Sequence, residues 1–216
     1  LLVRRAARAI GNAGLANAYG HCSARIDDAS FLVCAPRPMG MIAPGEAGTV
    51  VPVEGPLPEG VLGEVRIHQQ IYRRRADVGG ITRSFPPNVL ALSALRATPL
   101  PRHGFGAYFA PQPPLWDDPL LLRSDEQASA LADQLGAARA IVMRGNGAVV
   151  TGATLEEAVV LTWYLEDAAR VELAVRQAGE LATAPVLTAE QCEKRAVSAG
   201  GIYERMWAYL TRNDPE

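Results

Sequence analysis

Between Leu62 and Ala97 the chain changes its periodicity twice, and this run narrows the possible folds more than any other. Leu62 to about Arg74 has a helical pattern with arginines gathered at its carboxyl end, where the helix dipole favours cations. Val78–Ser84 follows as a strand, and Pro86-Pro87 then opens a second helix through about Ala97, since proline suits a first helical turn. A helix, a strand and a helix so closely joined suit a sheet covered by helices.

The rest of the chain continues the alternation. Residues 1–13 place Leu2, Val3, Ala6, Ala9 and Ile10 on one face of an amphipathic helix that stops near Gly11-Asn12 or Gly14. Phe31–Ala35 reads as a strand, and Pro36–Pro58 as irregular loop around a short strand at Thr49–Val53. Pro111–Pro119 is a proline-rich surface loop. Ser124 caps a helix running to Leu135, and strands at 140–144 and 148–151 flank the turn Gly145-Asn146-Gly147. Thr154-Leu155-Glu156-Glu157 is a capping box that opens a long helix to about Ala178, with Val159, Leu161, Leu165, Ala168 and Leu173 as core or subunit interface. A last helix spans about 189–210. No internal repeat is present, and periodicity gives an α/β sheet with helices on both faces.

At 216 residues the chain suits one domain, 1–216, with a full hydrophobic core, and is short for two. A net charge of −2 and 6% aromatics supply neither the field nor the stacking surface that nucleic acid requires. No apolar run approaches the ~20 residues that span a bilayer, and Leu1-Leu2-Val3-Arg4-Arg5-Ala6 lacks a cleavable signal layout. Three cysteines, Cys22, Cys34 and Cys192, show no paired spacing and suit a reducing cytoplasm. The expectation is a cytoplasmic protein with neither nucleic-acid nor membrane partners.

Four segments carry a resemblance to a known family. They are Gly20-His21-Cys22-Ser23-Ala24-Arg25, read as a turn; Glu64 through Val78 with His68, Ile71-Tyr72 and Asp77; the strand ending in Ile81-Thr82-Arg83-Ser84 with its proline-led helix; and Met143-Arg144-Gly145-Asn146-Gly147 through Leu155-Glu156-Glu157-Ala158. In this order and spacing the chain resembles the class II aldolase/adducin family over roughly Val3 to Val175. The resemblance implies a three-layer α/β/α fold with a mixed central sheet, and a homo-oligomer, a tetramer, with active sites at subunit interfaces. It leaves the last helix as a candidate to pack on a neighbouring subunit.

The resemblance also implies a divalent metal such as zinc or manganese held by three histidines. Ile81, Arg83 and Asn146 stand at those places. Isoleucine cannot coordinate, arginine repels a cation without losing its proton, and asparagine is a weak oxygen ligand. The expectation is therefore no metal and no other cofactor.

Glu64 matches the family's acid/base residue, or serves as a carboxylate at a helix start. Arg83 is placed to neutralise a carboxylate or enolate, or to form a salt bridge with Glu64 that fills the metal's place. Arg37, in Pro36-Arg37-Pro38, resembles the decarboxylase-like branch rather than the sugar-phosphate aldolases, and favours an anionic aromatic or heterocyclic carboxylate; the other reading is a solvated loop arginine. His21 stands where relatives contact substrate, and either moves a proton or caps the turn. Ser23, Ser84, His103 and Asn146 complete the implied substrate contacts, and His68 reads as a packed structural histidine. Two functions fit: a metal-independent lyase that cleaves a carbon–carbon bond or decarboxylates a small carboxylate, or a catalytically inactive scaffold or regulator of the same fold.

Overall fold

A computed structural model describes all of residues 1–216. In chain order the elements are α1 (Leu2–Asn12), β1 (His21–Arg25), β2 (Ser30–Val33), β3 (Thr49–Pro52), α2 (Arg66–Arg74), β4 (Gly80–Ser84), α3 (Pro87–Ala94), β5 (Leu115–Trp116), α4 (Asp125–Leu135), β6 (Ala140–Met143), β7 (Ala148–Gly152), α5 (Leu155–Gln177), α6 (Ala189–Arg195) and α7 (Ile202–Leu210). The seven strands form one sheet in the order β3-β2-β1-β4-β7-β6-β5. Every neighbouring pair is antiparallel except β5 and β6. No helix is long and apolar enough to cross a membrane.

Strand alternation builds the layers. Ile81, Val149, Ile141 and Met143 face α2 and α4, in one apolar cluster with Ile67, Ile71, Leu131 and Leu135. The intervening Ala140, Val142, Ala148 and Val150 face α3 and α5, packed with Val89, Leu92, Leu161 and Leu165. A third cluster joins α1 to the start of α5 through Ile10, Cys22 and Val159. Each fully buried aliphatic side chain contributes about 1.5–3 kcal/mol, so the two sheet faces stabilise the chain comparably. The expected α/β/α arrangement is present.

The approach of β4 to α5 depends on Gly80. A Cβ there would lie 2.2 Å from the Cα of Leu155. The long helix is fixed at its start by Thr154, whose side chain accepts from the Glu157 amide, and α4 by a full capping box between Ser124 and Gln127.

Three local expectations need correction. Gly20–Arg25 is not a turn: His21–Arg25 is a central strand between β2 and β4. The last helix is two, α6 and α7, because Gly200 and Gly201 adopt φ of +79° and +68° and break it. The proline-rich loop contains an edge strand, Leu115–Trp116, paired in parallel with Val142 and Met143.

Candidate active site

Register places the site. His21 lies opposite Arg83, and Ser23 opposite Ile81, across the β1–β4 pair. Directly opposed residues share a face with Cβ atoms about 4.5–5.5 Å apart, so these four side chains all point toward α2. Helix α2 and the turn before it supply Glu64, His68 and Tyr72, spaced four residues apart and therefore on one helical face. Glu64 sits in a single 3₁₀ turn, Gly63–Val65, that precedes the α-helix.

Arg83 is fully buried. Its Nη1 donates to the Ser84 carbonyl at 3.1 Å, its Nη2 lies 3.3 Å from Glu64 Oε2, and its guanidinium carbon is 4.4 Å from the centre of the Phe85 ring. Nε and Nη2 make no hydrogen bond. Burial pulls this guanidinium below its usual range, and the Glu64 carboxylate offsets only part of that. The salt bridge foreseen between these two residues exists, yet Arg83 remains short of acceptors.

Gly147 makes room for this arrangement. With φ +81°, it lets the β6–β7 turn close over β4; a Cβ there would lie 2.0 Å from the Ser84 carbonyl oxygen and 3.1 Å from Arg83 Nη1. The same turn carries Asn146, which is buried and whose Nδ2 has no partner. The buried hydroxyl of Ser84 is also unpartnered.

Beside these groups opens a cleft of about 730 Å³ whose wall includes His21, Arg37, Glu64, Phe85, Arg123 and Asn146. Arg66, also in the wall, is tied to Asp125 at 2.9 Å. Arg37 pairs loosely with Glu46 at 3.4 Å and is half exposed. Cations thus outnumber carboxylates in this wall. Seven buried side-chain polar atoms in the chain lack partners, and four of them belong to His21, Arg83 and Asn146. Buried polar groups are normally satisfied, and here the unpartnered ones gather beside the cleft.

His21 and His68 are both buried, their Nδ1 and Nε2 atoms 2.9 Å apart. Burial, then the neighbouring Arg83, holds His68 down at about 3. His21 is also pushed well below its ordinary value, by burial first and then by His68 and Arg83. Both rings are neutral at physiological pH.

The residues at the places implied for a divalent metal do not fit one. Ile81 is fully buried within the apolar cluster against α2, Arg83 is a cation, and Asn146 offers an amide. Nowhere in the chain do three histidine, cysteine, aspartate or glutamate side chains come together.

His21, Glu64, Arg83 and Asn146 therefore converge, with Arg37 at the cleft's edge, whereas Ser84, opposite Ala148, belongs by register to the other face of the sheet and does not line the cleft. Ser23 lies deeper, hydrogen-bonded to His68 at 2.6 Å. His103 lies outside the cleft of its own chain, bonded through Nε2 to Asp167 on α5 at 2.8 Å. Tyr72 and Arg123 were not singled out from sequence; the four-residue spacing from Glu64 through His68 was the available signal for Tyr72. Cys22 and Cys34, which showed no paired spacing, are brought together across β1 and β2 as free thiols, with the Cys22 amide 3.4 Å from Cys34 Sγ.

Comparison with known proteins agrees with the fold. The chain is 29% identical to a 3,4-dihydroxyphthalate decarboxylase from Arthrobacter keyseri over 196 residues, covering 81% of this chain and 77% of the relative. A crystal structure of L-fuculose-1-phosphate aldolase from Thermus thermophilus superposes with a TM-score of 0.71 at 26% identity, covering 85% of this chain and 96% of that one. An aldolase II superfamily protein from Pseudomonas syringae superposes with a TM-score of 0.81 at 22% identity, covering 98% and 91%. The model of the class II aldolase and adducin N-terminal domain matches residues 2–173. The chain belongs to the class II aldolase and adducin N-terminal domain family.

Proposed function

We propose that this chain is a metal-independent lyase that decarboxylates a small aromatic carboxylate. The observation that carries the reading is the open cleft lined by His21, Arg37, Glu64 and Asn146, with the under-satisfied Arg83 guanidinium buried beside it against Glu64. An anionic ligand would supply the acceptors that the guanidinium and the Asn146 amide lack. Decarboxylation breaks one carbon–carbon bond, leaves the electron pair on the substrate, and replaces carbon dioxide with a proton at the same carbon. A buried cation is suited to stabilising that pair, because its field is little screened. Arg37 would hold a carboxylate at the rim, while Glu64 or His21 moves the proton. The similarity to a dihydroxyphthalate decarboxylase supports the substrate class.

Exposed Tyr19, Leu62 and Leu121 rim the cleft, which suits closure by another copy in a homo-oligomer, a tetramer by family resemblance. We place the protein in the cytoplasm, with its three cysteines free and buried.

The test is incubation with 3,4-dihydroxyphthalate, following carbon dioxide and the dihydroxybenzoate left behind. Loss of one carboxylate gives the 3,4-isomer and loss of the other the 2,3-isomer, so chromatography also assigns the bond broken. Arg83→Glu should abolish turnover; unchanged turnover, or no turnover by the native chain on any phthalate or hydroxybenzoate, sinks the reading. The competing reading is a scaffold without chemistry, favoured by the Arg83–Glu64 contact and by Ile81 filling its place with hydrocarbon. Glu64 keeps its place in the cleft wall while making that contact, and the cleft stays open at about 730 Å³.

A further inference from the structure

Behind His21 runs an unbroken row of buried polar groups. His21 Nδ1 meets His68 Nε2 at 2.9 Å, His68 Nδ1 meets Ser23 Oγ at 2.6 Å, and Ser23 Oγ meets Tyr72 Oη at 3.0 Å. The far end is fixed by the backbone: the Tyr72 hydroxyl donates to the Ser23 carbonyl at 3.1 Å. All four side chains are buried, so water cannot relieve a wrong arrangement of protons.

The protons can be counted along the row. Tyr72 has one hydrogen, directed to the carbonyl, so its oxygen accepts from the Ser23 hydroxyl. Ser23 then has no hydrogen left for His68, and its oxygen accepts from His68 Nδ1–H. His68 Nε2 is therefore bare and accepts from His21 Nδ1–H. In the reverse direction the Ser23 hydroxyl would point at His68 and the Tyr72 hydroxyl at Ser23 Oγ, leaving the Tyr72 contact to the Ser23 carbonyl without a hydrogen. One hydrogen per contact is achieved in the first direction.

We propose that Tyr72, Ser23 and His68 are positioning residues that hold His21 as its Nδ1–H tautomer, so that its bare Nε2 accepts a hydrogen bond from a hydroxyl of the cleft ligand. His21 Nε2 is unpartnered, and the residue lines the cleft opposite Arg83. The site then asks for two features in one small molecule: an anionic group near Arg83 and a hydroxyl donor beside it. The ligand part rests on the carboxylate reading above; the tautomer part does not.

The test is ¹⁵N NMR of the histidine rings in the full chain, at neutral pH. The chain has three histidines, so a His103→Gln variant, altered outside the row and the cleft, assigns the remaining signals to the His21–His68 pair. Both rings should carry the proton on Nδ1. A proton on Nε2 of either ring overturns the proposal. Tyr72→Phe removes the acceptor for the Ser23 proton, frees that hydroxyl to turn to His68, and should move both rings toward the Nε2–H form. An unchanged pattern in that variant would show that Tyr72 does not set the direction.

Calorimetry with 3,4-dihydroxybenzoate and with benzoate tests the ligand half. The hydroxylated acid should bind about tenfold more tightly to the native chain, the order expected for one added hydrogen bond, and this preference should shrink in Tyr72→Phe. Equal binding of the two acids overturns the acceptor role. Binding of neither, with both rings in the Nδ1–H form, overturns the ligand half together with the carboxylate reading and leaves the tautomer half standing.

Discussion

Acidification should destabilise this protein well before its carboxylates titrate, and the buried histidine pair sets the size of the effect. His68 falls from an ordinary 6.5 to about 3 in the folded chain, through burial first and Arg83 second. A histidine held neutral in this way is protonated more readily when the chain unfolds. Its penalty is nearly absent above the unfolded value and grows as pH falls toward the folded value. For one such group the linkage relation gives about 2 kcal/mol of lost stability between pH 7 and pH 5. His21, shifted in the same direction by burial, His68 and Arg83, adds to that loss. Ordinary carboxylates titrate near 3.9–4.3, mostly below this window. In a chain of this size 1 kcal/mol moves the melting temperature by about 2–4 °C, so a fall of about 4–8 °C or more is expected. Thermal unfolding followed by circular dichroism at pH 7, 6 and 5 measures it, alongside His68→Gln, whose dependence should be shallower. A melting temperature that stays flat from pH 7 to pH 5, or an equal slope in the variant, would refute the reasoning.

Other perturbations test the frame of the site. Glu64→Gln removes the only carboxylate near Arg83 and should cost roughly 1–3 kcal/mol, discounted because Glu64 is partly exposed; urea unfolding reads this. Gly147→Ala brings a Cβ onto the Ser84 carbonyl at a φ of +81°, and should lower both melting temperature and ligand binding while the circular dichroism spectrum stays native. Gly80→Ala drives a methyl into the backbone of Leu155 and should destabilise by about 3 kcal/mol or prevent soluble expression altogether. Thr154→Ala removes the cap of the long helix and should cost about 1 kcal/mol, with no change in ligand affinity.

The elements that were legible in the sequence are those whose signals are local. The caps at Ser124 and Thr154, the apolar stripe of α1 and the proline-led α3 all carry their information within a few residues. Strand β1 was obscured because its inward residues, His21 and Ser23, are polar. Their partners on α2 lie 47 and 45 positions away in sequence, so no short window shows why polar groups belong there. Functional sites break local rules in this way. The Cys22–Cys34 neighbourhood was hidden for a related reason, since it exists only once β1 and β2 are in register. The break between α6 and α7 is different, because the Gly200-Gly201 pair that makes it sits inside an otherwise helical pattern and carries its signal locally.

Strand β4 is anchored from behind. Thr82, between Ile81 and Arg83, turns to the opposite side of the sheet, where its hydroxyl meets that of Thr162 on α5 at 2.6 Å. Gly80 seats the same strand against the start of that helix. Part of what keeps the strand in place is thus carried by residues that never see the cleft. Such anchoring means that a substitution at position 83 leaves the supports at Gly80 and Thr82 untouched. The side chain that faces α2 at that position can then be exchanged, and its chemistry tested, without unseating the strand.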